Sequence, residues 1–236
     1  MSSDNASAQH TPAVCAMVLA GGRGSRMGGV DKGLQSFNGV SLVQNAIQRL
    51  RQQSAASPPA ARIQQLAINA NRNVATYLQQ GVPVWADSVP AGVPDFAGPL
   101  AGILTGLAHC PAECEYLLTV PCDCPLFPLD LLACLAEAMF GQVPEGTPPP
   151  PIAMACAPEQ LSDGLWAMRR QPVFLLLRSD LGPDLTAYLA TGGRKIDAWC
   201  QRHPVCEVSF DRPHDRLAFA NANTLSELEK LQALVS

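Results

Sequence analysis

Residues 13–33 read AVCAMVLAGGRGSRMGGVDKG. The first eight, 13–20, are an unbroken apolar run of strand length, the pattern of a strand covered on both faces of a sheet. From 19 to 33 the character reverses: six glycines and three cations, Arg23, Arg26 and Lys32, fall within fifteen residues. Glycine lets backbone N–H groups approach an anion with no Cβ in the way. A buried strand that runs straight into such a loop delivers it to the C-terminal edge of a sheet, where open α/β sheets hold ligands. The loop departs from the two commonest phosphate patterns. Met27 stands where a dinucleotide fingerprint starting at Gly22 and Gly24 needs its third glycine, and Lys32 is followed by Gly33 rather than Ser or Thr. Three cations on one glycine loop suit a triphosphate and departing pyrophosphate better than a nicotinamide dinucleotide.

The remainder of the chain alternates strand and helix signals. Asn38-Gly39 marks a tight turn between short extended pieces. Ser41 and Gln44 then form a capping box, and Val43, Ala46, Ile47 and Leu50 share one helical face. Residues 63–71 begin as a strand, 74–80 read as a helix stopped by Gly81, and 82–87 as a strand. The Pro/Gly-rich loop 88–98 is long enough to carry function. Pro99 opens a helix, 116–123 is a buried strand ending in Asp123, and 128–140 is helical. After the proline-rich connector 141–151 come apolar strands at 152–157 and 172–178. A helical region over 184–202 is interrupted at Gly192-Gly193, another strand follows near 205–210, and a last helix opens on the Thr224/Glu227 capping box. Regular alternation of this kind predicts an α/β fold, a mostly parallel sheet with helices on both faces. Residues 1–13 read as a disordered tail and 14–236 as one domain.

Composition narrows the partners. The net charge of −4 offers no basic surplus for a nucleic acid or an anionic membrane surface. No apolar run approaches the roughly 20 residues of a membrane span, and the polar first fourteen residues lack a secretory h-region. Nine cysteines, an odd count, then fit a cytoplasmic protein with reduced thiols. The spacing of Cys110, Cys114, Cys122 and Cys124 matches no common closed zinc site, so small buried side chains are the better reading.

The 19–33 stretch resembles the signature of the nucleotidyltransferases that load molybdopterin, and most closely that of the molybdenum cofactor guanylyltransferases. Further matching stretches lie in the same order: INANR (68–72), WADS (85–88), GPLAG (98–102), VPCDCP (120–125), GGRK (192–195) and FANANTLSEL (219–228). The resemblance implies a three-layer, Rossmann-like nucleotidyltransferase fold. It also implies Mg²⁺-dependent transfer of GMP from GTP to the terminal phosphate of molybdopterin, with release of pyrophosphate and with Mn²⁺ able to substitute. GTP and molybdopterin are then the partners, with transient contacts to other proteins of molybdenum-cofactor biosynthesis and to molybdoenzyme chaperones. A cytidylyltransferase of the same fold, and a non-catalytic protein that delivers nucleotide or cofactor, remain as rival readings.

Carried over residue by residue, the resemblance gives Leu19, Ala20, Gly21 and Gly22 as nucleotide backbone contacts. Lys32 binds phosphates, Arg26 the β- and γ-phosphates, and Asn69 and Asp87 guanine and ribose; Arg23 reads as a solvated charge. Asp123, a carboxylate at a strand end, suits Mg²⁺ at the α-phosphate. Asn221 and Asn223 complete the metal or phosphate shell, with helix capping as a rival for Asn223. Gly98, Pro99, Leu100, Arg194 and Lys195 are the candidates for molybdopterin. An already ionised phosphate nucleophile needs no general base, only alignment and charge neutralisation. Gly21, where related cytidylyl enzymes tend to carry alanine, is expected to leave room for a purine.

Overall fold

The computed structural model describes residues 11–21, 30–53, 60–88, 98–141, 143, 146–161 and 163–234. In chain order the strands and helices are β1 (Ala13–Leu19), β2 (Ser36–Phe37), β3 (Val40–Ser41), α1 (Leu42–Gln52), β4 (Arg62–Asn69), α2 (Val74–Leu78) and β5 (Val84–Trp85). There follow α3 (Pro99–His109), β6 (Tyr116–Pro121), α4 (Leu131–Phe140), β7 (Ile152–Gln160), β8 (Trp166–Arg178), α5 (Gly182–Ala190), α6 (Ile196–Cys200), β9 (Val205–Ser209) and α7 (Leu225–Ala233).

The seven long-range strands form one sheet in the order β5-β4-β1-β6-β8-β7-β9. Every neighbouring pair is parallel except those involving β8, which runs against both β6 and β7. β1 is central and fully buried, and its side chains alternate between two cores, as the two-residue period of a strand demands. Val14, Ala16 and Val18 meet Val43, Ile47 and Leu50 of α1 and Leu131 and Leu135 of α4. Cys15, Met17 and Leu19 meet Leu100, Ile103 and Leu104 of α3, while α5 and α6 close the same face through Leu185, Leu189 and Trp199. The expected mostly parallel sheet with helices on both faces is what the chain builds.

Several boundaries move. Pro12 and Ala13, expected within the 1–13 tail, are held by the sheet: Ala13 pairs with Arg62, and the Arg62 N–H donates to the Pro12 carbonyl at 3.0 Å; residues 1–10 lie outside the described residues. The 82–87 strand shrinks to two residues, the 128–140 helix begins at Leu131, and β6 stops at Pro121, two residues short of Asp123. β8 extends well upstream of the apolar 172–178 run, and its first half pairs with β7 as an exposed hairpin. Cys110 and Cys114 precede the start of β6 while Cys122 and Cys124 follow its end, so the two pairs of thiols sit at opposite edges of the sheet.

Candidate active site

Past their last paired residues, β4, β1 and β6 are laced together by backbone. The Ala20 N–H donates to the Asn69 carbonyl at 2.9 Å, and the Cys122 N–H donates to the Leu19 carbonyl at 3.1 Å. This fixes the Leu19–Gly21 backbone between two polar clusters, one on each side of β1.

On the β6 side stands Lys32. Its ammonium donates to Asp123 Oδ2 at 3.0 Å and to Asn223 Oδ1 at 2.9 Å. These side chains are far apart in sequence; they meet because β1 and β6 are neighbours and because the 222–223 segment is tied in by an Ala222 N–H to Asp123 carbonyl bond of 2.8 Å. Asn223 is not the helix cap: Thr224 caps α7 reciprocally with Glu227, and the Glu227 carboxylate also takes the Asn223 N–H. That leaves the Asn223 amide oxygen free for Lys32. Asn221 points elsewhere, its amide oxygen accepting from the Cys124 thiol. Burial pushes that thiol well above its ordinary range, with the Asp123 charge adding to the effect, so it stays a neutral donor.

The turn that carries Lys32 is anchored from beneath. Asp31 caps it by accepting from the Gly33 N–H at 3.2 Å, and its carboxylate also accepts from Asn73 Nδ2 at 2.9 Å and from the Tyr77 hydroxyl. Tyr77 is fully buried, and burial followed by the Asp31 contact raises its phenol above the ordinary value. A Cβ on Gly33 would collide with the Tyr77 hydroxyl, so only glycine lets the turn sit down on this anchor.

On the β4 side the cluster is amides around one carboxylate. Asn69 Nδ2 donates to Asp87 Oδ1 at 2.8 Å and to the Trp85 carbonyl at 3.1 Å. Asn71 Nδ2 donates to Asp87 Oδ2 at 2.8 Å, and the Asp87 N–H returns a bond to Asn71 Oδ1 at 2.7 Å. Asn69 is buried at 3% exposure, whereas Asn71 is exposed. Two glycines make room for this arrangement: a Cβ on Gly21 would lie 3.0 Å from Asn69 Oδ1 and 3.1 Å from Asn71 Nδ2, and one on Gly102 only 2.5 Å from Asn69 Oδ1.

A model of the MobA-like NTP transferase domain matches residues 16–205. A molybdenum cofactor guanylyltransferase of Albidiferax ferrireducens is 49% identical over 220 residues, 93% of this chain and 95% of that protein. The chain belongs to the molybdenum cofactor guanylyltransferase family. A second relative of that name, from Acidovorax sp. strain JS42, is 50% identical over 94% of this chain and 96% of its own length. The molybdopterin-guanine dinucleotide biosynthesis protein A of Archaeoglobus fulgidus shares the fold at a TM-score of 0.62 and 17% identity, over 94% of this chain and 98% of that one.

Among the residues carried over from this guanylyltransferase family, Leu19, Ala20, Gly21, Lys32, Asn69, Asp87, Asp123 and Asn223 converge on the end of β1. Gly22, Arg23 and Arg26 lie outside the described residues. Two expectations change in kind. The space beside Gly21 is filled by Asn69 and Asn71, so that glycine accommodates the amide pair rather than an open volume. Leu100 has a fully buried side chain and belongs to the core under α3, leaving only its backbone for a ligand. Gly98 is the N-cap of α3, with φ +61°, and Pro99 is its first residue. Arg194 is engaged locally, its guanidinium donating to the Leu189 and Gly193 carbonyls at the end of α5, while Lys195 is exposed. β8 runs antiparallel, so α5 rises from the N-terminal edge of the parallel strands and α6 descends again. The 191–195 turn therefore lies at the same edge as Gly98.

Sequence reasoning missed Asp31, Gly33, Asn71, Asn73, Tyr77 and Gly102. Asn71 and Asn73 had a visible signal, an asparagine-rich run directly after a strand. Tyr77 had none, since a tyrosine on a short helix reads as plain core.

Proposed function

We propose that this chain transfers GMP from GTP to the terminal phosphate of molybdopterin and releases pyrophosphate, with residues 14–236 acting as one Mg²⁺-dependent domain in the cytoplasm. A terminal phosphate oxygen of the acceptor attacks the α-phosphorus in line. A new P–O bond forms, the bond to the β-phosphate oxygen breaks, and pyrophosphate leaves with the electron pair. The observation that carries this reading is the Lys32 ammonium held between Asp123 and Asn223 at one side of the β1 end, with the Asn69–Asp87 cluster at the other.

Lys32 supplies positive charge where the triphosphate charge accumulates, and the anchored 31–33 turn fixes its position before substrate arrives. Asp87 retains lone pairs beyond those taken by the two amides, and these accept from ribose hydroxyls or guanine N–H groups. The donor set fits a hard divalent ion: Asp123 and Asn223 are both oxygen donors and already converge on one positive charge. Mg²⁺, or Mn²⁺ in its place, supplies Lewis-acid neutralisation at the α-phosphate when bound. Among the described residues no helix is long and apolar enough to cross a membrane.

The deciding assay is pyrophosphate release with GTP, CTP or ATP, with and without molybdopterin and Mg²⁺. Release is expected with GTP only when acceptor and Mg²⁺ are both present. Asp123→Asn is expected to lower kcat about 10²- to 10³-fold, the scale for losing one preorganised charge contact. A preference for CTP would make the protein a cytidylyltransferase; tight nucleotide binding with no pyrophosphate would make it a delivery protein.

A further inference from the structure

β6 ends at Pro121, so the sheet ladder does not reach Asp123. The chain that follows, Pro125-Leu126-Phe127-Pro128, joins no strand, and its two prolines donate no backbone N–H. Its carbonyls still need donors, and one row of side chains on α1 supplies them. Asn45 and Arg49 of α1 and its C-cap Gln53 stand four residues apart, one above the other on the same side of the helix. Asn45 Nδ2 donates to the Pro125 carbonyl at 2.7 Å, and Gln53 Nε2 to the Pro128 carbonyl at 2.7 Å. Between them Arg49 donates from Nε to the Phe127 carbonyl at 2.7 Å, and from Nη2 to the carbonyls of Phe127 and of Leu126, the latter at 3.1 Å. Gln53 also accepts from the Leu132 N–H at 2.9 Å and so joins the row to α4. Burial lowers the proton affinity of the Arg49 guanidinium, so its charge is held here at a cost. What that charge brings is a planar fork of donors that fixes two successive carbonyls.

We propose that Asn45 and Arg49 are positioning residues for Asp123: through the main chain after β6 they set where the carboxylate stands that takes the nucleotide's divalent cation. The inference rests on the guanylyltransferase reading above. Asp123 lies on a short span between fixed points. On one side the Cys122 N–H is bound to the Leu19 carbonyl at 3.1 Å, and on the other the Pro125 carbonyl is bound to Asn45. The Asp123 carbonyl itself accepts from the Ala222 N–H at 2.8 Å. Phe127, fully buried beneath the Arg49 guanidinium, seats the far end of the segment in the core. Freeing the Pro125 end lets the turn swing and carries the carboxylate away from Lys32. The lysine stays, because its own turn is anchored separately on Asn73 and on Tyr77 of α2. Each member of the Lys32–Asp123 pair is thus held from its own helix. Gln53 differs from the other two: its bonds fall at Pro128 and Leu132, past the turn, and fasten the start of α4.

Full-length Asn45→Ala, Arg49→Lys and Gln53→Ala are compared with wild type in turnover of GTP and molybdopterin. Asn45→Ala is expected to raise the Mg²⁺ concentration for half-maximal turnover about 10- to 100-fold, the scale for losing a group that orients a metal ligand. The GTP KM at saturating Mg²⁺ is expected to stay unchanged. Arg49→Lys keeps the charge without the fork and is expected to shift the Mg²⁺ requirement in the same direction. Gln53→Ala removes the same kind of bond and measures a merely structural role: its melting temperature falls while its Mg²⁺ requirement stays. An unchanged requirement in Asn45→Ala, or an equal rise in Gln53→Ala, overturns the proposal. A second readout needs no turnover. Lysines occur only at 32, 195 and 230, so NMR resolves the ammonium signals of the ¹⁵N-labelled, nucleotide-free protein one by one. The Lys32 ammonium is expected to exchange slowly with water in wild type and Gln53→Ala, and faster in Asn45→Ala. Equal exchange in wild type and Asn45→Ala overturns the proposal. If the Lys32 signal responds as expected while wild type releases no pyrophosphate from GTP, the positioning of Asp123 stands and the guanylyltransferase reading falls.

Discussion

The second glycine of the GPLAG stretch gives a sharp test of how the nucleotide side of the site is held. A methyl group at position 102 would place Cβ 2.5 Å from Asn69 Oδ1, 3.0 Å from Asn69 Cγ and 2.8 Å from Leu19 Cδ2. The leucine methyl swings aside at little cost. Asn69 cannot, because its amide nitrogen is committed to Asp87 and to the Trp85 carbonyl and the residue is almost fully buried. Either α3 lifts, at the roughly 1–3 kcal/mol typical of an overpacked core, or Asn69 gives up a bond to a carboxylate, worth about 1.5–3 kcal/mol. Gly102→Ala is therefore expected to lose about 2 kcal/mol of stability in urea denaturation. It is also expected to weaken GTP about 10- to 100-fold by calorimetry, since the shifted amide no longer orients Asp87. Gly98→Ala provides the control: among the described residues, its chain neighbours aside, no atom lies within 4 Å of its Cβ, so the strain of φ +61° is what is felt, about 1–2 kcal/mol, and GTP affinity is expected to stay at the wild-type value. A folded Gly102→Ala protein with wild-type GTP affinity would refute the reasoning and remove Asn69 from the nucleotide site.

The anchor beneath Lys32 predicts that Tyr77→Phe costs about 1.5–3 kcal/mol of stability, the value of a hydrogen bond to a charged group. It should also raise the GTP KM several-fold; unchanged kinetics would show that the turn holds itself. Gly21→Ala, whose Cβ presses on both Asn69 and Asn71, is expected to lower kcat/KM for GTP and CTP to similar extents, about tenfold. A loss confined to GTP would restore direct exclusion of the purine by the methyl group. Burial pushes the thiols of Cys114 up to about 11 and Cys200 up to about 12, so the folded chain keeps protons that the unfolded chain releases from about pH 8.5. The stability those protons supply is complete below that pH and is lost as pH rises toward the folded values, at up to about 1.4 kcal/mol per pH unit and thiol. Urea midpoints measured from about pH 8 to pH 10 should fall, and Cys200→Ala should flatten the decline; a flat wild-type profile would contradict it.

The sheet was legible where burial is two-sided. The 13–20 and 116–121 runs have no polar face, and only the centre of a parallel sheet asks for that. β8 was harder, because its first half, Trp166 to Arg170, is an exposed ribbon of large and charged side chains with no apolar periodicity. Its orientation had one signal, Asp163-Gly164, where Gly164 adopts φ +82° and Asp163 accepts from the Leu165 N–H at 3.0 Å to turn β7 back on itself. In the site, the side chains that touch across the sheet were nameable, but their pairing was not. That Lys32 meets Asp123 and Asn223 depends on strand order, a property that no local window contains. Gly33 and Gly102 were likewise invisible as packing residues, because what excludes a Cβ at each is a side chain from another element.

The pairing itself bears on how the site receives a triphosphate. Lys32 and Asp123 are each about one-fifth exposed and 3.0 Å apart, so both charges are already stripped of much of their water and stand compensated. The contact between them fixes the geometry of the site before substrate arrives. On the proposed reading, entry of a phosphate chain would exchange partners rather than bury new charge: Lys32 would turn from carboxylate to phosphate oxygen, and Asp123 and Asn223 would be the oxygen donors that hold its counter-cation. Because the desolvation is already met in folding, more of the binding energy would be left, on that reading, for aligning the α-phosphorus with the acceptor oxygen. Asp31, Asn73 and Tyr77 belong to that economy, since an ammonium can change partners without loss of alignment only if the turn beneath it stays still.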